Sequence, residues 1–314
     1  MPRSDSFGRA FEYICIQSLE AEISKVRPVT IIKNASYYQD KVAWESMDES
    51  DQSLMRKGAK AAIPTLMDLE PKIEENSGNI LTLKLQADTE GIIGDVRDIL
   101  IIRDDVEWII GISVKHNNFA VKHSRLSSHL DFGSMWLDMP CSATYWEDVK
   151  PIFTPLKESR GRVAWSQFPN KATAVYIPLL KAFMDEIKRD YQIDNSVPAK
   201  LVEYLLGKYD FYKLIGIDSE QETRLMAFNL RGTLNKSSQK KKPSRLIPVS
   251  LLPTRIVSLE MKPQSTNTAE LYMDNGWQFT FRIHNASTMV EPSLKFDVQI
   301  VGMPTTIITI NCAW

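Results

Sequence analysis

The run GDVRDILIIRDDVEWIIGISVKHN, residues 94–117, carries acids and a lysine at the ends of two apolar segments. A hairpin turning at Asp104-Asp105 brings Asp98 roughly opposite Gly111 and gathers Asp95, Asp98, Ser113 and Lys115 at its open end. Side chains alternate along a strand, so Gly111, Ser113 and Lys115 share one face while Trp108, Ile110, Ile112 and Val114 share the core face. An acid that opens one strand, with a polar-x-Lys closing its partner about fifteen residues later, is a layout for metal-dependent phosphodiester hydrolysis. The carboxylate holds a hard divalent cation, which prefers oxygen ligands. The cation polarises the phosphate and acidifies a water, and the lysine meets the negative charge that grows on phosphorus. The pair alone is not diagnostic, because an Asp before a strand and a Lys after one recur in many α/β proteins.

The flanking residues add weight. His116, Asn117 and Asn118 follow at once, and the run AVKHSRLSSHLDF (120–132) reads as the start of a helix. On that helix Lys122 and Arg125, three apart, share a face that either contacts phosphates or is simply solvated. His116 and His123 are general bases by type. Without Cys or carboxylate partners they make no zinc site, so contact with phosphate or water is expected.

The elements around this run are legible. Phe7, Phe11, Ile14, Cys15, Leu19 and Ile23 recur at helical spacing before Pro28, and ILTLKL (80–85) alternates like a strand. PLLKAFMDEIKRD and PAKLVEYLLGKY predict two amphipathic helices. After the basic block NKSSQKKKPSR (235–245) the chain turns to short alternating segments: RIVSLEM, AELYMD, WQFTFRI, SLKFDVQIV and TTIITI. Asp274-Asn275-Gly276 marks a hairpin there. The expected division is residues 1–235 and 246–314, with a linker at about 235–246.

Composition sets the outer bounds. The chain has 314 residues, 43% apolar and 25% charged, with net charge -1, which fits one large globular domain or two modest ones. No apolar run reaches the roughly 18–20 residues of a membrane span, and the N-terminus has no signal-peptide pattern. Cys15, Cys141 and Cys312 are few, odd in number and widely spaced, so free thiols and a cytoplasmic location are expected. Near-neutral charge does not exclude a polyanion, because the charge is sorted. Acids crowd positions 40–75, whereas Trp108 to Leu130 has none.

The run GDVRDILIIR…WIIGISVKHNNFAVKHSRL resembles the HaeIII-type family of type II restriction endonucleases, a branch of the PD-(D/E)xK nuclease superfamily. The likeness runs nearly the full length, through FEYICIQSLEAEISK, PAKLVEYLLGKYDFYK, NLRGTLNKSS and WQFTFRIHNASTMVEPSLKFDV. It implies an α/β (α+β) nuclease core, a central mixed sheet flanked by helices, with a β-rich C-terminal part that helps grip DNA. It also implies Mg2+-dependent cleavage of both strands of DNA at GGCC, between the inner G and C. Asp98 matches the metal-binding acid, aided by the backbone carbonyl of Val114, and Lys115 the lysine of the motif. Ser113 departs from the pattern, since an Asp or Glu is usual there. The missing carboxylate comes from Asp95 or Glu12 or is dispensed with. Asp95 is equally a turn cap, and Glu12 equally a solvent-facing acid.

For DNA contacts, Lys240, Lys241 and Lys242 form either a phosphate-tracking loop or a mobile linker. Trp277, Phe279 and Phe281 are core by alternation, which leaves Arg282, His284, Asn285 and Lys295 as the sharper candidates. Arg and Lys donate to guanine O6 and N7 in the major groove, and Arg231 competes with Arg282 for that role. A palindromic target suits a homodimer, though a monomer nicking each strand in turn also fits. A cytosine methyltransferase is expected as a genetic companion. Two rival readings are a repair or junction-resolving nuclease and a DNA-binding protein whose nuclease site has lapsed.

Overall fold

The computed structural model describes residues 4–75, 78–87, 94–122 and 124–314. In chain order these form α1 (Ser4–Ile23), β1 (Val29–Ile32), α2 (Ala35–Glu45), α3 (Glu49–Leu69), β2 (Leu81–Leu85), β3 (Ile99–Arg103), β4 (Trp108–His116), β5 (Ala120–Lys122), β6 (Arg125–Ser127), α4 (Phe132–Leu137), α5 (Ala143–Ser159), α6 (Ile177–Ile193), α7 (Val197–Leu206), β7 (Phe211–Ile217), β8 (Glu222–Phe228), β9 (Ile256–Met261), β10 (Thr268–Met273), β11 (Gln278–His284), β12 (Ser293–Gly302) and β13 (Thr309–Ala313). The chain divides into two compact units, residues 1–119, 207–250 and 305–314 in one and 120–206 and 251–304 in the other.

The first unit is a mixed sheet in the order β1-β2-β3-β4-β7-β8-β13, carrying α1, α2 and α3. β4 and β7 run parallel, and β3–β4 and β7–β8 are antiparallel hairpins. The central strands are buried along nearly their whole length, hence the largely apolar runs ILIIR and FYKLIGI. α1 settles on this sheet through Phe11, Ile14, Cys15 and Leu19. Gly216 of β7 lets it approach closely, because a Cβ there would lie 2.6 Å from Phe11 Cζ.

The β3–β4 turn is longer than expected, four residues in place of two. A single 3-10 turn, Asp104–Val106, is closed by Glu107 at φ 48°, so Arg103 pairs with Trp108. Leu100, not Asp98, therefore sits opposite Gly111. Asp98 moves two residues along, its N–H donating to the Ile112 carbonyl at 2.8 Å.

The second unit is a sheet in the order β5-β12-β11-β10-β9, with β6 also on β12, and helices α4 to α7. Phe183 of α6 packs on Phe281 and Phe296, centroids 5.5 and 5.0 Å apart, so helices cover one face of this sheet. The Asp274-Asn275-Gly276 hairpin forms as the sequence indicates, with Asn275 at φ 55° and Gly276 at φ 88°. The helix expected from residue 120 does not form. That stretch is β5 and β6, because β12 offers an open edge and takes up their backbone groups. Lys122 and Arg125 thus do not share a helical face.

Two further features cross the expected boundary. β13 leaves the β-rich segment to pair with β8 in the first unit. Residues 235–246 also run inside that unit, where Asn235 donates to Glu70 and to the Leu69 carbonyl and Lys241 pairs with Glu74. All three cysteines are buried free thiols.

Candidate active site

The β3–β4 register brings Asp98 level with Ser113, and three donors converge on one of its oxygens. Asp98 Oδ2 accepts from Val114 N at 2.6 Å, Lys115 Nζ at 3.1 Å and Ser113 Oγ at 3.2 Å. Lys115 and Asp98 keep 28% and 23% of their side-chain surface exposed, enough for a substrate to reach them. Ser113 is therefore a hydrogen-bond donor to the acid, in a place where a carboxylate would repel it.

Glu12 belongs to the same centre. It comes from α1, half-buried, and its carboxyl is pushed well above the usual range by burial and then by the charge of Asp98. A half-buried carboxyl whose ionisation is opposed by a neighbouring acid marks a place suited to a cation. Among the described residues no group of three or more His, Cys, Asp or Glu side chains gathers to hold a metal. Two carboxylates nevertheless fit Mg2+, which commonly takes one or two and fills its shell with water and substrate phosphate.

Asp95 has a different task. Its Oδ1 accepts from Arg97 Nε at 2.8 Å and its Oδ2 from Arg97 Nη2 at 2.7 Å. Burial works against its ionisation, but hydrogen bonds from Arg97 and Gln86 outweigh that and hold the carboxyl low. Arg97 lies over the backbone of β4 because position 111 is glycine; a Cβ there would fall 2.0 Å from Arg97 Cδ. It also stacks on Tyr209 at 4.0 Å. Asp95 is thus half of a clamp on the segment leading into Asp98.

His116 and Asn117 are likewise committed to the fold. The His116 ring is buried, stacked beside Phe7 and packed against Phe11 of α1, with Nε2 at 2.9 Å from Asp218. Asn117 donates to Asp218 at 2.9 Å and accepts from its N–H. Together they tie the end of β4 to the β7–β8 turn and to the helix that carries Glu12. Asn118 is exposed beyond them.

Sequence reasoning missed Lys213. It pairs in parallel register with Ser113, so it lies on the same sheet face, only 4% exposed. Its ammonium donates to the Phe119 carbonyl at 3.2 Å. Burial, then the nearby Lys115, pull it down to about 7, with Asp98 opposing. A lone Lys in the middle of FYKLIGI was the available signal, since lysine is rarely buried without cause.

The other expected DNA contacts divide. Lys122 donates to the Tyr204 carbonyl at 2.8 Å and lies 3.6 Å over its ring. Asn285 bonds the carbonyls of Ser287 and Met289 within its own turn. Arg125 pairs with Glu291 and Ser293, and Lys241 with Asp68 and Glu74. Arg231, Lys240 and Lys242 are exposed. Arg282, His284 and Lys295 come together on one face of the second sheet. His123 lies outside the described residues.

The model of the HaeIII restriction endonuclease family matches residues 8–304. The chain belongs to that family. It is 48% identical, over 99% of its length and 98% of the relative's, to the Type II restriction enzyme HaeIII of Haemophilus aegyptius. No solved structure matches it. A HaeIII-family chain is a type II restriction endonuclease, a site-specific endodeoxyribonuclease whose substrate is DNA. Among the described residues no helix is long and apolar enough to cross a membrane.

Proposed function

We propose that this HaeIII-family chain cleaves both strands of double-stranded DNA at GGCC, between the inner G and C. The products would be blunt ends with 3′-hydroxyl and 5′-phosphate groups, and the reaction would need Mg2+. The observation that supports the chemistry is the convergence of Val114 N, Ser113 Oγ and Lys115 Nζ on Asp98 beside the Glu12 carboxyl. Asp98 and Glu12, with the Val114 carbonyl, would hold Mg2+. When bound, the ion supplies charge that polarises the scissile phosphate and acidifies a water.

Ser113 and Val114 keep the Asp98 carboxylate oriented by donating to a single oxygen. Lys115 presents a positive charge where phosphorus gathers negative charge. Asp95 and Arg97 hold the approach to Asp98 in place, and His116 with Asp218 holds α1. The exposed Arg231, Lys240 and Lys242 add sequence-independent attraction to the backbone, and the β-rich segment 246–314 grips the duplex. The target's symmetry suits two-fold engagement by a homodimer, and sedimentation with and without a short duplex distinguishes it from a monomer that nicks each strand in turn. A cytosine methyltransferase acting on the same site would protect the host.

Digestion of a mapped plasmid with Mg2+ or with EDTA, followed by sequencing of the ends, tests the reading. Blunt cuts at GGCC in Mg2+ alone are expected. Cuts set by DNA structure and not by sequence would favour a repair or junction nuclease. Intact DNA that shifts in a gel would mean that the site has lapsed.

A further inference from the structure

The helix-free face of the second sheet carries polar side chains in register across its strands. One row is Arg125, Lys295 and His284. The next is Asp297, Arg282 and Thr268, and the third is Gln299, Thr280 and Glu270. The rows change in character: in the first Lys295 stands beside Arg125, which pairs with Glu291, and a His284 whose protonation burial disfavours, the second is charge-balanced and the third weakly acidic. The second row, with Thr280 and Gln299 of the third, lines one side of a concavity of about 550 Å³ that Lys262 and Gln264 also border.

The charge balance separates two uses of such a surface. Holding phosphates calls for net positive charge. Here Arg282 Nη2 donates to Asp297 Oδ2 at 2.9 Å, and Lys262 pairs with Glu270 at 3.2 Å. A base edge in the major groove calls for donors and acceptors side by side. A G·C pair shows O6 and N7 acceptors on guanine next to the N4 amino donor of cytosine. Arg282 is 57% exposed, and a guanidinium with one N–H engaged still has donors for a guanine. Asp297 is 13% exposed and has a second oxygen to accept from an amino group. The spacing also agrees. Same-face residues on an antiparallel strand recur about every 6.8 Å, which is about two base-pair steps at 3.4 Å each.

We propose that this face reads a G·C pair of the target in the major groove, with Arg282 donating to guanine O6 and N7 and Asp297 accepting from the N4 amino group of the paired cytosine. Lys295, in the row beside Arg282 and Asp297, lies toward the neighbouring phosphates. This assignment rests on the GGCC reading above and adds Asp297, a residue that no pattern in the sequence marked.

The test uses the full chain and a short duplex with one GGCC, cleaved under single-turnover conditions. 7-Deazaguanine, which lacks N7, replaces each guanine in turn, and 2-pyrimidinone, which lacks the amino group, replaces each cytosine. At the contacted pair each analogue is expected to slow the wild-type protein about 10- to 100-fold. Arg282→Ala should lose the same factor on unmodified DNA and nothing further on the 7-deazaguanine duplex. Asp297→Asn should lose nothing further on the pyrimidinone duplex. Penalties that multiply for both variants would make the pair a cross-strand tie and overturn the assignment. If Asp297→Asn unfolds, the arm with the exposed Arg282 decides. A wild-type protein that leaves unmodified GGCC intact would overturn the target itself, a different result from multiplying penalties.

Discussion

At the scale of single residues the site is organised around one carboxylate oxygen. Asp98 Oδ2 collects three donors, and Glu12 faces it from α1 with its own carboxyl driven upward. Replacing Asp98 by Asn or Lys115 by Met should lower the single-turnover cleavage rate by about 100-fold or more. Circular dichroism should still report a folded chain, since both side chains reach solvent. Cleavage by either variant at near the wild-type rate would displace the site from this hairpin. Glu70 carries a separate prediction. Its Oε1 accepts from Tyr212 OH at 2.7 Å and Asn235 N at 2.5 Å, while its buried Oε2 has no partner. Burial raises its carboxyl to about 7, against the pull of those bonds. An acid raised on folding adds stability below its unfolded value, and that contribution is lost as pH climbs through the folded value. Glu70→Gln keeps the acceptor and removes the loss. It should match the wild type near pH 4 and exceed it by about 3 kcal/mol at pH 8. Urea unfolding at the two pH values measures the difference, and a gap independent of pH would count against the assignment.

Elements place these residues through close approaches that few side chains permit. α1 delivers Glu12 because Phe11 rests on the bare backbone of Gly216 and His116 fills the space beside Phe7. Gly216→Ala would put a Cβ 2.6 Å from a rigid ring, so α1 must shift. The expected cost is about 1–3 kcal/mol, with a loss of cleavage larger than the loss of folded protein accounts for. Thermal unfolding and single-turnover rates, compared on the same preparation, check both. The elements also show how far local pattern carries. The β3–β4 hairpin, α1, α6, α7 and the Asn-Gly turn follow from periodicity and turn chemistry. Residues 120–132 do not, because three-residue strands are too short for either period to register and their pairing partner lies far along the chain.

Across the whole molecule the chain passes four times between its two units, and this decides which parts can fold alone. The stretch 246–314 reads in sequence as a β-rich part set off by a linker. In the structure β12 takes β5 and β6 as neighbours, the inner face of its sheet packs on α6, and β13 pairs elsewhere. A fragment of residues 246–314 should therefore show no cooperative thermal transition by circular dichroism, whereas the full chain should show one. A sharp transition in the fragment would mean that the sheet needs neither β5 and β6 nor its helices.

The sequence alone determined the β3–β4 hairpin with Asp98 and Lys115 at its open end, the helix bearing Glu12 and the resemblance to HaeIII-type nucleases. The elements among these are written within short windows, where spacing and alternation act directly, and the resemblance is carried by phrases along nearly the whole chain. Tertiary structure decided the rest. It set Lys213 beside Ser113 across parallel strands about a hundred residues apart in the chain, locked Asp95 to Arg97, and aligned Asp297 with Arg282. Alternation says which face a strand residue takes, but which strand becomes its neighbour is settled only when distant segments pair to bury their apolar faces.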